Sequence, residues 1–453
     1  MLPAMAVSYR PRRSLTLLPS ADAGDFKTLL KEIRPEWIDE ALQVTGTASV
    51  RRRRLPAELV LGLVLGMALF RKLPIAEIVD RLDLVLPGTG PARVARSGVA
   101  QARQRLGAAP MRYLFKKCSD HWGHRSARQH AWRDLAVYGV DGTRLRVPDS
   151  PENRAYFGGH AAGGERGQSG YPLMRVVVLM ALRSHIIVDA AGGPYATPEQ
   201  GYAEGLWHQV PENSLVIVDR GFLDSKILVP LQNDETNRHW LTRAKKNMAF
   251  STVTKWSASD RLVELQISRS ARQLDPSLPQ QWLVRAINYT RRGFRPQTLI
   301  TSLLDRDKYP AREIVSLYHE RWELELGFDE VKTEVLDRQE ALRSKSPDGV
   351  MQELWGVAVA YNLVRLEIER VAAQLNLPPM RISFVMALRT MREMWLWIAS
   401  LESPGTIPKN LRWLQDDLTR FVLPPRRTRR RAPRAVKLKM SSYPRKRPTE
   451  IAK

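Results

Sequence analysis

The order of apolar and helical segments between residues 135 and 332 restricts the fold of this chain more than any other feature. Three apolar runs of β-strand character come first, and the second and third are close enough to form a hairpin. A helix, a strand, a helix and a strand follow, then a polar stretch, one more strand and a long final helix. The strands are predicted at 135–141, 173–183, 186–190, 214–219, 239–244 and 298–304, and the helices at 198–209, 223–232 and from Pro310 onward.

This order predicts an α/β core built on a ribonuclease H-like mixed sheet. The polar, β-leaning stretch 247–296 would be a β-rich insertion before the last helix. All-α regions are predicted on both sides of the core, and the two long C-terminal helices could cover the core or pair with a second copy of the chain. The predicted domains are a helical N-terminal domain, the core, a helical C-terminal region and a basic tail, at 1–125, 130–340, 345–423 and 424–453.

The charge of the chain favours a polyanionic partner. It has 71 Lys and Arg residues against 47 Asp and Glu, a formal net charge of +24. Residues 424–453 alone hold 12 cations and one acid, together with several prolines, which predicts a disordered tail that binds phosphates. Nucleic acid is therefore the expected partner, with a general bias toward arginine as the alternative.

Three features of the sequence exclude other classes of protein. The single cysteine, Cys118, excludes an internal disulfide and a cysteine-based zinc site. The longest apolar run, Leu59 to Phe70, has 12 residues, whereas roughly 20 are needed to cross a bilayer. The first residues also lack the pattern of a signal peptide. We therefore expect a cytoplasmic protein without a membrane partner.

Two aspartates, Asp141 and Asp219, each end an apolar strand and precede a turn, in VDGT and VDRGF. Open α/β sheets place ligand-binding groups at the carboxyl ends of their strands. The alternative for either aspartate alone is that it caps the turn or the next helix.

A third acid, Glu325, belongs to the helical segment Tyr318–Lys332 (YHERWELELGFDEVK). At about 100° per residue, Tyr318, Arg321, Glu325 and Lys332 share a strip about 60° wide between two apolar flanks. An amphipathic helix ordinarily has a wide solvated face, so this narrow strip predicts that the helix faces a polar cleft.

Three convergent carboxylates need a cation to stay ionised, and their hard oxygens favour Mg²⁺ or Mn²⁺ over zinc. Two such ions about 4 Å apart can activate a nucleophile and stabilise the leaving 3′ oxygen of a phosphodiester. Arg321 and Lys332 would hold flanking phosphates. Tyr318 could donate its hydroxyl to a phosphate or stack, or it could pack in the core.

The spacing Tyr-x2-Arg-x3-Glu-x6-Lys, met by Tyr318, Arg321, Glu325 and Lys332, resembles the signature of the "IS-four" family of bacterial insertion-sequence transposases. DGT at Asp141 and DRGF at Asp219 resemble the two acidic blocks of that family. The resemblance implies a DDE triad of Asp141, Asp219 and Glu325 that holds two Mg²⁺ ions, with Mn²⁺ able to substitute. It also implies cut-and-paste transposition by a homodimer on inverted-repeat ends and target DNA in the bacterial nucleoid.

The resemblance further implies a hairpin intermediate, in which the freed 3′-OH attacks the opposite strand and the terminal bases are flipped. Some relatives stack a flipped base on an aromatic residue of the strand before the signature helix. Strand 298–304 has no aromatic residue here. Trp322 is a possible substitute, but we expect it to pack in the core instead.

The N-terminal region resembles the N-terminal domain of many family members and is expected to bind DNA. A helix predicted at 98–106, with Ser97 as its N-cap and Gly107 at its end, could present Gln101, Arg103 and Gln104 to a groove, or these side chains could simply be solvated. Arg51, Arg52, Arg53 and Arg54 form a cluster suited to phosphates. A DNA-binding regulator, an inactive transposase remnant and a ribonuclease H-like nuclease without joining activity are the alternative functions.

Overall fold

A computed structural model describes most of the chain. The described residues are 32–48, 55–81, 95–160, 170–233, 235–246, 248–291, 295–337, 341–398 and 407–425. The cluster Arg51, Arg52, Arg53 and Arg54 and nearly all of the predicted basic tail lie outside these residues.

Nine strands of the described chain form one mixed sheet. They are β1 Ala136–Arg146, β2 Leu173–Ala181, β3 Ile187–Pro194, β4 Ser214–Val218, β5 Arg238–Arg243, β6 Ser251–Lys255, β7 Asp260–Gln266, β8 Gln281–Tyr289 and β9 Gln297–Thr301. Their spatial order is β3-β2-β1-β4-β5-β9-β8-β7-β6. The first three strands are antiparallel, and β4 and β5 run parallel to β1. This is the ribonuclease H-like order, so the predicted fold class is confirmed.

The insertion predicted at 247–296 continues the main sheet. Strand β9 pairs antiparallel with β5, and β8, β7 and β6 follow it outward, each antiparallel to its neighbour. The insertion therefore widens one edge of the core sheet, and β6 forms the outer edge with all its residues exposed.

Helices precede, interrupt and follow the sheet. They are α1 Pro35–Val44, α2 Ala57–Leu69, α3 Ile75–Arg81, α4 Arg96–Leu106, α5 Ala109–Gln129, α6 Pro151–Phe157, α7 Glu199–Glu204, α8 Ser225–Leu231, α9 Arg269–Leu274, α10 Ala311–Tyr318, α11 Trp322–Asp329, α12 Pro347–Gln374, α13 Phe384–Ile398 and α14 Ile407–Leu418. No helix in the described ranges is long and apolar enough to cross a membrane.

The N-terminal helices, helix α12 and one face of the sheet share one hydrophobic core. Helix α2 is apolar all round and nearly every residue in it is buried, as expected for a helix inside a core. Gly356 of α12 lies so close to α2 that a Cβ atom there would be 2.6 Å from Val64 Cγ1. The other face of the sheet has a second core, which includes residues of α7 and α8. The division of the chain into separate domains stays a prediction.

Helix α4 differs from its prediction in two respects. It begins at Arg96 after Ala95, which supplies no side-chain cap, so Ser97 is not the N-cap; Gly107, at φ 67°, does end the helix. Arg103 points inward: its Nε donates to Gln352 Oε1 at 2.9 Å, and its Nη2 lies 3.4 Å from the buried Glu353. Arg103 therefore links α4 to α12 and is not available to a groove, while Gln101 and Gln104 are exposed.

Candidate active site

Asp141 and Asp219 lie side by side because of the register between two parallel strands. Val140 of β1 is paired with Val218 of β4, and each aspartate is the next residue. Adjacent strands are about 4.8 Å apart. The prediction that β1 ends at Asp141 was wrong, since pairing with β2 carries β1 on to Arg146. Asp219 does leave its strand, and its carboxylate also accepts the Arg220 N–H at 2.6 Å, so the capping role considered for it is real as well.

Burial raises the pKa of Asp141 to about 6. The N–H of Gly142, 2.8 Å from Asp141 Oδ1, and the charge of Arg321 act in the opposite direction. The negative charges of Asp219 and Glu199 raise the pKa further. The charged form of the Asp141 carboxylate is therefore disfavoured mainly by burial, and a bound cation would stabilise it.

Arg321 connects Asp141 to the third acid. Its Nη2 donates to Glu325 Oε1 at 2.9 Å, and its Nη1 lies 3.6 Å from Asp141 Oδ2. The structure thus brings Asp141, Glu325 and Arg321 together across the interface between β1 and the signature segment. Gly139 permits this approach, because a Cβ atom there would be 2.8 Å from Leu324 Cδ1.

The signature segment is not the single regular helix that was predicted. Helix α10 ends at Tyr318, a 3₁₀ turn spans His319–Arg321, α11 follows, and Glu330–Val335 is π-helical. The π turn coincides with a buried contact: Glu330 accepts hydrogen bonds from Arg365 Nη2 and, at 2.8 Å, from Tyr361 Oη, both on α12. A uniform 100° period therefore does not describe the position of Lys332.

The residue types at the site suit a hard divalent cation, since carboxylate oxygens are the ligands that Mg²⁺ and Mn²⁺ prefer. Their present positions do not form a finished cage. Within the described chain, no group of three His, Cys, Asp or Glu side chains could hold an ion as placed. Glu325 is turned toward Arg321, but its side chain is 42% exposed, so a change of rotamer meets little packing. The donor types therefore fit a divalent metal site, and Glu325 is free of the packing that would hold it in its present position.

Known proteins resemble the chain over nearly its whole length. The family profile "Transposase DDE domain" matches residues 132–363, and "Insertion element 4 transposase N-terminal" matches residues 23–116. "Transposase InsG for insertion sequence element IS4" of Escherichia coli (strain K12) is 36% identical over 427 residues, 94% of each chain. The chain belongs to the IS-four family of DDE transposases.

Two further matches are partial or distant. "Putative transposase InsZ" of Escherichia coli (strain K12) is 39% identical over 238 residues, 52% of this chain and 77% of that protein. A piggyBac transposase synaptic complex with hairpin DNA shares 12% identity, covers 89% of this chain and 85% of its own, and has a TM-score of 0.39, too low to add to the assignment. The chain is thus a DNA transposase, and DDE transposase domains generally use divalent metal ions.

The other predicted site residues of the transposase differ in exposure. Tyr318 is buried, and burial raises its pKa. Lys332 lines a polar cavity next to Asp141. Trp322 is 41% exposed, so the expectation that it packs in the core was wrong. It lies on the flank of the signature segment opposite Leu317 and Leu324, which fill the core instead.

Sequence reasoning missed Glu199, the first residue of α7. Its carboxylate lies directly over Gly142, where a Cβ atom would be 2.5 Å from Glu199 Cδ. Glu199 also pairs with Arg175 of β2. Position 142 must therefore be small for this fourth acid to approach Asp141. The only signal in the sequence was an acidic residue in the first turn of a predicted helix, which is common.

Proposed function

We propose that Asp141, Asp219 and Glu325 are the catalytic triad of the transposase and hold two Mg²⁺ ions, for which Mn²⁺ can substitute. The observation that carries this proposal is the register of β1 and β4, which sets two aspartates side by side facing the segment that bears Glu325. Bound there, the ions would supply an activated attacking oxygen and stabilise the leaving 3′ oxygen.

The protein's own cations would position the DNA. Arg321 reaches both Glu325 and Asp141, so its guanidinium can hold a phosphate next to the reacting one while orienting the acids. Lys332 would bind a second phosphate from the cavity wall. Tyr318 is buried and could contribute only its hydroxyl group.

The reaction we propose is cut-and-paste transposition. Hydrolysis at the element's inverted-repeat end frees a 3′-OH, which attacks the opposite strand to form a hairpin; the hairpin is then reopened and the 3′-OH joins target DNA. Each joining step exchanges one phosphodiester bond for another, so no outside energy source is needed.

Trp322, exposed and adjacent to Arg321, would stack a flipped base in place of the aromatic residue missing from β9. Trp322→Ala should then lower hairpin yield more than first-strand nicking.

The protein is proposed to act as a homodimer on double-stranded DNA of the bacterial nucleoid, within the cytoplasm. The N-terminal region, with Arg51, Arg52, Arg53 and Arg54 on phosphates, would recognise the ends. A fragment of residues 126–453 that still protected the ends in footprinting would contradict that role.

The test uses purified protein and fluorescently labelled DNA that spans the element's boundary. With Mg²⁺, but not with EDTA, a denaturing gel should show a nick and then a hairpin at the boundary. Glu325→Gln should abolish both products and retain DNA binding. Asp329→Asn, an exposed acid on the same helix, is the matched control and should cleave normally.

Other outcomes identify the alternatives. Specific binding without cleavage in Mg²⁺ or Mn²⁺ would indicate a regulator or an inactive remnant. Cleavage without transfer of a labelled end into plasmid DNA would indicate a nuclease that does not join. Normal activity of Glu325→Gln would refute the proposed triad.

A further inference from the structure

A polar cavity of about 320 Å³ opens beside Asp141, on the β2 side of β1, whereas Asp219 follows β4 on the other side. Its wall includes three cations, one carboxylate and an aromatic ring: Arg144, Arg175, Lys332, Glu199 and Tyr195. Cations outnumber the acid, so the cavity is suited to an anion.

Two of these cations form a cross-strand pair of like charge. Arg144 on β1 lies directly opposite Arg175 on β2, an arrangement that destabilises an antiparallel pair of strands. Glu199 Oε1, 3.0 Å from Arg175 Nη1, offsets one of the charges. Arg144 instead donates to His160 Nε2 at 3.1 Å. This partner is a neutral acceptor, so it does not offset the positive charge of Arg144.

Neighbouring groups hold this pair in place. The guanidinium of Arg175 lies 4.8 Å from the ring centroid of Tyr195, and its side chain is 17% exposed. The buried Nε of Arg175 has no hydrogen-bond acceptor among the described residues. Because His160 Nε2 accepts from Arg144, its Nδ1–H donates to Tyr195 Oη at 2.8 Å. The two arginine side chains are therefore held in position before any anion binds, and N–H groups of Arg175 remain available as hydrogen-bond donors.

We propose that the cavity binds one backbone phosphate of the DNA strand that leaves the reacting phosphodiester toward β2, with Arg144 and Arg175 as its ligands. The inference rests on the proposed function, which puts the reacting phosphodiester at Asp141 and Asp219. Guanidinium groups bind phosphate oxygens through paired N–H donors, and an anion between the two arginines would remove their repulsion. Lys332, on the same cavity wall, adds positive charge.

The experiment uses the full-length transposase and synthetic element ends in which one phosphate at a time is replaced by an uncharged methylphosphonate. Cleavage rates in Mg²⁺ are compared for the wild type, Arg144→Gln, Arg144→Lys and Arg269→Gln. Arg269 is the control, because it is exposed on α9 in the insertion. Strand β7, which directly precedes α9 in the sequence, is five strands from β1 in the sheet. At about 4.8 Å per strand, this is a distance of about 24 Å.

We expect one methylphosphonate position at which the wild type slows about tenfold or more, the loss typical of a charge-assisted hydrogen bond. Arg144→Gln should slow cleavage of unmodified DNA by a similar factor, yet cause no further slowing on that modified end. Arg144→Lys should be intermediate, because it keeps the charge and loses the fork. Arg269→Gln should show no such coupling at any position.

Two results would overturn the proposal. One is that Arg144→Gln cleaves unmodified DNA at the wild-type rate. The other is that Arg144→Gln slows cleavage by the same factor on every methylphosphonate-modified end as on unmodified DNA. Failure of the wild type to cleave any end would refute the proposed function instead. In that case the same set of variants and modified ends, compared by binding affinity in EDTA, still tests the phosphate subsite.

Discussion

Replacement of Glu330 by glutamine should destabilise the transposase strongly, because this acid compensates a charge inside the core. Arg365 is 1% exposed, and its Nη2 bonds to Glu330 Oε2. The pKa of Glu330 is lowered to about 2 from 4.5, since the attraction of Arg365 and His185 outweighs its burial. Lowering the pKa from 4.5 to about 2 corresponds to about 3 kcal/mol. That value agrees with the 3–5 kcal/mol typically lost when a buried ion pair loses one partner.

The sign of the pH dependence follows from the lowered pKa of Glu330. Its stabilising contribution is complete above the unfolded pKa of about 4.5 and is lost as the pH falls toward 2. The difference in unfolding free energy between the wild type and Glu330→Gln should therefore be constant near neutral pH and shrink below pH 4.5.

Urea unfolding followed by tryptophan fluorescence, at pH 7 and at several acidic values, would measure this difference. Asp329→Asn, the exposed neighbour, should change stability by less than about 0.5 kcal/mol. Glu330→Leu combined with Arg365→Met removes both charges and should recover most of the loss. A cost below about 1 kcal/mol for Glu330→Gln, or no recovery in the double variant, would refute the reasoning.

Three further predictions concern the site and the tail. Asp141→Asn should stabilise the metal-free protein at pH 7 by up to about 3 kcal/mol. The reason is that the pKa of Asp141 is raised from 3.8 to about 6, so ionising this carboxylate costs stability as the pH rises through that range. A lower free energy of unfolding for Asp141→Asn than for the wild type, measured in urea with EDTA, would contradict this prediction. Gly142→Ala should reduce nicking on the denaturing gel, because its Cβ would be 2.5 Å from Glu199 Cδ, and Glu199→Ala should relieve that defect if the clash is its cause. Removal of residues 424–453 should weaken binding to specific and random DNA alike, with a shallower salt dependence in titrations; a selective loss of end recognition would show that the tail reads sequence.

The fold could be predicted, and the three candidate acids could be proposed, because each depends on local periodicity. Strand-like apolar runs and helical stretches in a particular order leave few possible topologies, and the core strands and helices follow along the chain in the predicted order. An aspartate that directly follows a buried strand can be recognised without knowing which strand is its neighbour, as at Asp219. The spacing of Arg321 and Glu325, four residues apart, likewise anticipated their contact.

The features that could not be predicted depend on contacts between segments far apart in the sequence. Pairing with β2 carried β1 beyond Asp141, and the contact of Glu330 with α12 accompanied a π turn inside the signature segment. Arg103 was predicted to be available to DNA, but in the folded protein it pairs with Glu353 of α12.

The sequence by itself therefore determined the order of elements, the candidate acids and the polyanionic partner, since hydrophobic period and charge are local properties of the chain. Only the tertiary structure decided which cations line the cavity beside Asp141 and which are used inside the protein. An arginine looks the same in the sequence whether it lies opposite another arginine, as Arg144 does, or is buried against an acid, as Arg365 is. Its role depends on burial and on the charge of its neighbours, which are fixed when distant strands and helices pack together.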